Sequence, residues 1–203
     1  EEDKELARLI RDETDRIVAL INRMDIFSDG LPLNRQAVNI HQVLERVRKL
    51  GESSFASHVK FVENYDPSLP FVLGDKDQLV QVFLNLIKNA AEAISGSGGE
   101  ISITTAYKHG VRFALPGSNS RVHLPLKISI QDNGEGVSES IQSFMFDAFV
   151  TNKTEGSGLG LALVAKIIDD HGGIIELESQ ASRTIFHVML PVDMSPEKKK
   201  ENS

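Results

Sequence analysis

Apolar residues recur along the chain at two different spacings, and each spacing predicts a kind of element. Residues 1–28 carry apolar side chains at alternating steps of three and four, the seam of a long amphipathic helix that needs partner helices. Further helices are predicted at residues 40–50, at residues 77–94 behind an Asp cap, and at residues 159–171. Short apolar or alternating runs predict strands at residues 59–64, 71–73, 101–105, 122–130, 174–178 and 185–190.

Turn-forming residues separate these elements and indicate the fold class. Gly, Pro and Asp within residues 28–32 break the first helix and predict a hinge, and residues 108–121 predict a hairpin insertion. Helices are mixed with a meander of strands, without the regular alternation of a parallel α/β fold. We therefore expect a two-layer α/β sandwich, with helices on one face of a mixed sheet.

Composition narrows the classes of function. The chain has 203 residues, no Cys, and 22 Lys and Arg against 29 Asp and Glu. The absence of Cys excludes a disulfide scaffold, Cys-ligated zinc and thiol catalysis, and it agrees with a reducing compartment. The net charge of −7 argues against nucleic acid as a partner. Polar residues interrupt every long apolar run, so we expect no membrane-spanning segment.

Two asparagines one helical turn apart mark the helix at residues 77–94. Asn85, Asn89 and Glu92 share the face opposite its apolar stripe. Asn is a mediocre helix former, which suggests that two on one stripe have a function. Amide oxygens suit Mg²⁺ when nucleotide phosphates and water complete its coordination. For this helix alone, a solvated face with incidental Asn residues is an equally good interpretation.

Two glycine-rich strings add further candidate chemistry. The string Asp-Asn-Gly-Glu-Gly at residues 132–136 follows a predicted strand, where a carboxylate can accept a hydrogen bond from an exocyclic amine. The string Gly-Ser-Gly-Leu-Gly-Leu at residues 156–161 opens a helix, whose backbone N–H groups can reach phosphate. Lys153 lies just upstream, within reach of a terminal phosphate. The spacing fits neither a Rossmann fingerprint nor a Walker A loop.

In this order the three motifs resemble the GHKL ATP-binding family, over about residues 38–192. The string at residues 146–153 resembles the F-box of sensor histidine kinases, with Ala148 in place of Pro and Asn152 in place of Thr. The position of Asn85 resembles the one at which hydrolysing branches of the family have a Glu that activates water. Asn is a far poorer base, which favours transfer over hydrolysis. The amino-acid sequences of these strings are similar to those of nitrogen-regulation sensor kinases of the NtrB type.

The resemblance implies a role for each matching residue. Asn89 is expected to bind Mg²⁺ with Asn85 beside it, and Lys153 to meet the γ-phosphate of ATP; these three are the predicted catalytic residues. Asp132 is expected to read the adenine amine. Glu92 stands where many kinases have a basic phosphate contact, so that contact is not expected here. The other predicted nucleotide contacts are Gly134, Gly136, Thr151, Gly156, Gly158, Leu159, Gly160, Leu161 and Thr184.

The resemblance also implies an organisation. We expect a Bergerat-type GHKL fold preceded by one long dimerisation-type helix. Residues 1–30 would be the second helix of a truncated dimerisation and phosphotransfer hairpin, residues 31–193 the catalytic ATP-binding domain, and residues 194–203 a disordered tail. Because the chain begins with Glu, and none of its six His lies on the first helix or precedes an acid, we expect a fragment without its phosphoacceptor.

The implied function is the catalytic domain of a cytoplasmic two-component histidine kinase that uses ATP and Mg²⁺. Expected partners are a response regulator receiver domain, a PII signal protein, and a second copy in a homodimer; nucleic acid and membrane are not expected. Three alternatives stay open. A hydrolysing GHKL ATPase would release phosphate without an acceptor, a non-catalytic regulatory module would fail to bind ATP, and a Ser-directed kinase of the anti-sigma type fits the first helix poorly.

One histidine has an expected structural role. His171 precedes two glycines at the end of a predicted helix. A protonated imidazole at that position would interact favourably with the helix dipole.

Overall fold

The structure, a computed structural model, describes residues 33–108, 112–114, 121–151 and 157–192. The predicted first helix, the hinge and the charged tail therefore lie outside the described residues. No helix within the described ranges is long and apolar enough to cross a membrane.

The described chain contains helices and strands close to those predicted. The helices are α1 (Ile40–Glu52), α2 (Lys76–Ala93), α3 (Glu139–Gln142) and α4 (Gly160–Asp170). The strands are β1 (Gln36–Val38), β2 (Lys60–Asn64), β3 (Val72–Gly74), β4 (Glu100–Tyr107), β5 (Arg112–Ala114), β6 (Arg121–His123), β7 (Leu126–Asp132), β8 (Ile174–Gln180) and β9 (Arg183–Leu190). Neither β1 nor α3 was predicted. The run at residues 122–130, predicted as one strand, is split by Pro125 into β6 and β7.

The main sheet has five strands in the order β2-β4-β7-β9-β8. Strand β2 is parallel to β4, and every other pair in this sheet is antiparallel. Strand β1 pairs with β3 beside this sheet, and β5 pairs with β6, so the predicted insertion at residues 108–121 extends to residue 123. The mixed sheet confirms the predicted α/β sandwich.

One hydrophobic core lies between the sheet and the helices. Ile128 and Ile130 of β7 and Phe186 and Val188 of β9 are buried there, at alternate positions of their strands. Helix α2 packs on β4 and β7, and α1 and α4 both pack on α2. Burying one large apolar side chain contributes about 1.5–3 kcal/mol. The apolar stripe of α2 thus places this helix at the centre of the domain, with its polar stripe beside α4.

The start of α2 is fixed by a side-chain cap. Asp75 accepts hydrogen bonds from the backbone N–H groups of Asp77 (3.0 Å) and Gln78 (3.2 Å), which satisfies two of the unpaired donors of the first turn. Its second carboxylate oxygen accepts from the backbone N–H of Asn34, at 3.3 Å. The same residue therefore caps α2 and holds the chain that enters the domain.

Candidate functional site

Asp132 is the last residue of β7 and lies on the face of the sheet that packs against the helices. Its side chain is almost fully buried, with 2% of the residue exposed. The backbone N–H of Gly134 donates to Oδ1 of Asp132 at 2.9 Å. Burial raises the pKa of the Asp132 carboxyl to about 6, and the Gly134 N–H opposes this shift. A buried carboxyl group whose charged form is destabilised by desolvation indicates a functional residue.

Thr184 lies beside Asp132 in the sheet. The two residues are register partners on the antiparallel strands β7 and β9, so their side chains share one face. Thr184 is buried as well, with 3% exposed. The predicted adenine contact and the predicted Thr contact are therefore neighbours, a hydroxyl next to a carboxylate at the end of β7.

The asparagines of α2 meet the glycine-rich start of α4. The Asn85 side-chain N–H donates to the backbone oxygen of Gln81 at 2.9 Å. Its Oδ1 lies so near Gly160 that a Cβ at residue 160 would be 3.3 Å from it. Asn89 is half-buried one turn further along α2, and no hydrogen bond to its side chain is found within the described ranges. Its amide oxygen is therefore available to a ligand.

The Asp-Asn-Gly-Glu-Gly loop packs against the C-terminal end of α2. A Cβ on Gly134 would lie 2.5 Å from the backbone oxygen of Ala93, too close for any side chain. The backbone N–H of Glu135 donates to the same oxygen at 3.2 Å. The glycine is thus needed for contact with the end of α2, whatever ligand the loop also meets. In this way all three predicted motifs meet at α2.

Two further glycines adopt the left-handed backbone conformation. Gly136 has φ +83° and lies against the backbone oxygen of Gln180, which a Cβ would approach to 2.6 Å. Gly158 has φ +66° and lies against the backbone of Phe149. The Phe149 N–H donates to the Gly158 oxygen at 3.0 Å. We name this pair of residues the clasp, because it joins the two ends of the segment between them.

The F-box residues divide between core and surface. Phe146 packs edge-on against Phe186 of β9, with ring centroids 6.4 Å apart. Phe149 is 70% exposed and has a positive φ of 69°, a strained conformation for a bulky residue. Thr151, a predicted nucleotide contact, is exposed and takes part in a polar interaction. The exposed Phe and Thr thus follow an anchored Phe in the chain.

Two leucines anchor the start of α4. Leu159 is buried and Leu161 is packed on the core. No side chain of the described residues caps this helix. The first N–H groups of α4 are therefore available to an anion, which the helix dipole would favour. Lys153 and Gly156, predicted phosphate contacts, lie outside the described residues.

Asn133, for which the sequence predicted no role, holds the loop after Asp132. Its Oδ1 accepts from the Glu100 backbone N–H at 2.8 Å, and its Nδ2 donates to the Gly98 backbone oxygen at 3.0 Å. Both bonds reach across to the start of β4. An Asn directly after a strand is a signal for this kind of side-chain-to-backbone bonding, and it could have been used.

The predicted site residues that the structure describes do not lie in the cavity between β8 and residues 142–146, so their chemistry, and not a cavity, marks the site. A cavity of about 440 Å³ lies between β8 and residues 142–146, and no predicted site residue lines it. Among the described residues, no group of three or more His, Cys, Asp or Glu could hold a metal ion. The half-buried amide of Asn89 fits Mg²⁺ only if a bound nucleotide and water supply most of its ligands.

The buried carboxylate leads to a stability prediction. Because the pKa of Asp132 is raised by folding, the folded state binds more protons than the unfolded state between about pH 4 and 6, and stability falls as pH rises through this range. Asp132→Asn should therefore increase the free energy of unfolding at pH 8 by about 1–3 kcal/mol. The gain should disappear near pH 4. Urea unfolding of both proteins at several pH values measures it.

Asp66 provides a control, because folding shifts its pKa in the opposite direction to that of Asp132. It accepts hydrogen bonds from the Ser68 hydroxyl and backbone N–H and from the Tyr107 N–H, which lower its pKa. Asp66→Asn should lower stability at pH 8, with a smaller loss toward acid pH. Equal effects of the two Asn substitutions at pH 8 would contradict the burial argument for Asp132.

Residues 74–194 match the family described as histidine kinase-, DNA gyrase B-, and HSP90-like ATPase. The chain is 62% identical, over 95% of its length, to a sensory histidine kinase/phosphatase NtrB from Azospirillum brasilense, and covers 48% of that relative. It spans about half the length of the curated relatives it matches. The predicted similarity to kinases of the NtrB type is thereby confirmed.

Solved structures agree with the fold. The nucleotide-free catalytic domain of histidine kinase ThkA is 28% identical, with a TM-score of 0.62, and the match covers 78% of this chain and 95% of that one. A complex of ThkA with the response regulator protein TrrA matches with 24% identity and a TM-score of 0.68, covering 91% of this chain and 50% of that one.

The family match spans more than half of the 203 residues and includes every predicted site residue, from Asn85 to Thr184. It contains the part of the chain in which the three motifs meet at α2. The protein therefore belongs to the histidine kinase-, DNA gyrase B-, and HSP90-like ATPase family.

Proposed function

We propose that this chain is the ATP-binding catalytic region of an NtrB-type sensor histidine kinase. It would transfer the γ-phosphate of ATP, in the presence of Mg²⁺, to a histidine on a dimerisation helix, for relay to a response regulator in nitrogen regulation. The meeting of the three motifs at α2 carries this proposal: the Asn85 amide oxygen lies at Gly160, and Gly134 lies at the end of the same helix. Asp132 and Thr184 add an adenine-reading pair at the neighbouring strand ends.

The roles proposed for the site follow from its chemistry. Asp132 and Thr184 would bind the adenine edge, and the N–H groups at the start of α4 would bind phosphate oxygens. Asn89 would hold Mg²⁺ together with the phosphates, and Lys153 would meet the γ-phosphate. Bound Mg²⁺ would neutralise charge on the phosphate oxygens. Phosphoryl transfer depends mainly on positioning and on such charge stabilisation, so a site of this kind needs no nucleophile of its own.

Asn85 favours transfer over hydrolysis. An amide cannot take a proton from water as a carboxylate can. Moreover, one of its N–H bonds is already engaged by the Gln81 backbone oxygen, and the amide oxygen is the side-chain atom that lies nearest to Gly160 of α4. The alternative of a fast hydrolysing ATPase is therefore the weaker proposal.

The wider organisation remains a proposal. Residues 31–193 would form the catalytic domain, which agrees with the single core of the described part. Residues 1–30 would belong to a dimerisation and phosphotransfer hairpin, and residues 194–203 to a tail. A response regulator receiver domain, a PII signal protein and a second copy of the chain are the proposed partners. A cytoplasmic location is proposed on the absence of Cys.

Binding of ATP, followed by titration calorimetry with and without Mg²⁺, tests the proposal. We expect saturable binding of one nucleotide, weakened at least about tenfold when Mg²⁺ is chelated, because the ion would link Asn89 to the phosphates. Phosphate release, measured in the same samples, should stay near the level of buffer alone. A chain that binds no ATP would be a regulatory module, and rapid phosphate release would identify a hydrolysing ATPase.

A further inference from the structure

His171 follows the last turn of α4, and both of its ring nitrogens are bonded to backbone. The residue is 3% exposed. Nε2 lies 2.9 Å from the backbone nitrogen of Asp75, and Nδ1 lies 2.7 Å from the backbone oxygen of Ile167. A backbone N–H can only donate and a carbonyl oxygen can only accept. Both bonds therefore require the neutral ring with its proton on Nδ1.

The expectation of a protonated His171 at the helix end is therefore wrong. Burial lowers the pKa of His171, and the nearby Arg35 lowers it further; the Ile167 carbonyl and the carboxylates of Asp75 and Asp170 act in the opposite direction. Arg35 also donates to the backbone oxygen of Asp170 at 2.8 Å. The ring is thus neutral although three charged side chains, those of Asp170, Asp75 and Arg35, lie near it.

The bond between Nε2 of His171 and the Asp75 N–H joins the end of α4 to the start of α2. Asp75 is the cap of α2, and the preceding Gly74 lies so near that a Cβ there would be 2.7 Å from the His171 ring. At the opposite end of α4, Gly160 meets Asn85 of α2. The 11 residues of α4 span about 16 Å, close to the rise of about 15 Å from Asp75 to Asn85. The two antiparallel helices are therefore held together at both ends of α4.

We infer that His171 is a positioning residue for the nucleotide site, which fixes the start of α4 against the asparagines of α2 by holding its far end. This inference rests on the function proposed above, since it concerns the same site. The bridge to Asp75 carries the role, because it connects the two helices. The bond to Ile167 connects the C-cap residue His171 to its own helix, and it orients the ring.

Two amide substitutions separate these bonds. In His171→Gln the side-chain oxygen can take the place of Nε2 and accept from the Asp75 N–H, which keeps the bridge between helices. In His171→Asn the shorter amide can reach only the Ile167 oxygen, which leaves the part-buried Asp75 N–H unpaired. The exposed His58, with one ring contact to the Ala91 backbone oxygen at 3.2 Å, provides a matched control as His58→Asn.

Affinity for ATP with Mg²⁺ is measured by titration calorimetry, at a temperature where circular dichroism reports each variant as folded. We expect His171→Asn to weaken binding about tenfold, and His171→Gln and His58→Asn to stay within about threefold of the unsubstituted chain. Unchanged affinity in folded His171→Asn, or equal losses in the Asn and Gln variants, would overturn the positioning role. Failure of the unsubstituted chain to bind ATP would instead defeat the proposed function.

A second measurement needs no variant. Long-range ¹H–¹⁵N spectra of the unsubstituted chain report the tautomer of each histidine. We expect His171 to be neutral at pH 7 with its proton on Nδ1, and to keep this form when ATP binds. A proton on Nε2, or a charged ring, would overturn the inference even if His171→Asn failed to fold.

Discussion

Asn89→Ala is expected to slow phosphoryl transfer from ATP to a histidine on a partner chain by about a hundredfold or more. The partner is a longer chain that carries an acceptor helix, and the label should appear on it. Asn89 is the half-buried amide on α2 available to Mg²⁺, one turn from the contact between Asn85 and α4. Without it, the ion would lose its one proposed protein ligand. Transfer of radioactive phosphate, followed over time, measures the effect.

The control is another Asn→Ala substitution far from the site. Asn64 is exposed at the end of β2, and Asn64→Ala should leave transfer unchanged. This chain alone should give no phosphohistidine, since none of its six His precedes an acid. Unimpaired transfer by Asn89→Ala would remove Asn89 from the metal site. Labelling of the chain by itself, at any of its histidines, would contradict the expectation that the acceptor lies elsewhere.

Asp132→Ala should weaken ATP binding by about tenfold to a hundredfold, because a buried carboxylate hydrogen bond to the adenine amine is worth about 1.5–3 kcal/mol. GTP carries a carbonyl in place of that amine, so its weaker binding should change much less. The preference for ATP over GTP should therefore shrink. Competition titrations with the two nucleotides give both affinities in one experiment.

Asp66→Ala is the matched control for this substitution. Asp66 also accepts backbone N–H groups, but it lies at the turn before β3, outside the site. Its replacement should leave both affinities unchanged. A loss of ATP and GTP binding by the same factor in Asp132→Ala would indicate a collapsed loop. That result would contradict the reading of adenine by this carboxylate.

The elements that surround the site could be predicted because several signals agreed. For α2, the apolar stripe and a capping Asp both indicate the same helix, and the structure shows that Asp75 is the cap. Strand β1 could not be predicted, since its three residues have no periodicity and Gln36 and Ala37 are exposed. The break between β6 and β7 was missed although Pro125 marks it, because the hydrophobic alternation continues across the proline.

The site residues could be predicted as motifs, but not their arrangement. Nothing in the local sequence says that Asn85 faces Gly160, because this contact depends on how α2 and α4 pack. The same holds for His171, whose helix-end position suggests a charged ring. Burial of the ring and the packing of the Asp75 N–H against it make the neutral ring the stable form. Tertiary contacts thus decide both the geometry and the protonation of the site.

The clasp of Phe149 and Gly158 gives the chain a place where length can vary independently of the fold. Its backbone hydrogen bond keeps the two ends of the intervening segment together. The entropic cost of closing a loop between two joined residues grows only with the logarithm of its length, so a flexible insertion that doubled the number of residues between Phe149 and Gly158 would cost about 0.6 kcal/mol. Truncating a core side chain such as Leu86 costs about 2–5 kcal/mol. A flexible linker inserted there would therefore destabilise the protein less than such a substitution in the core.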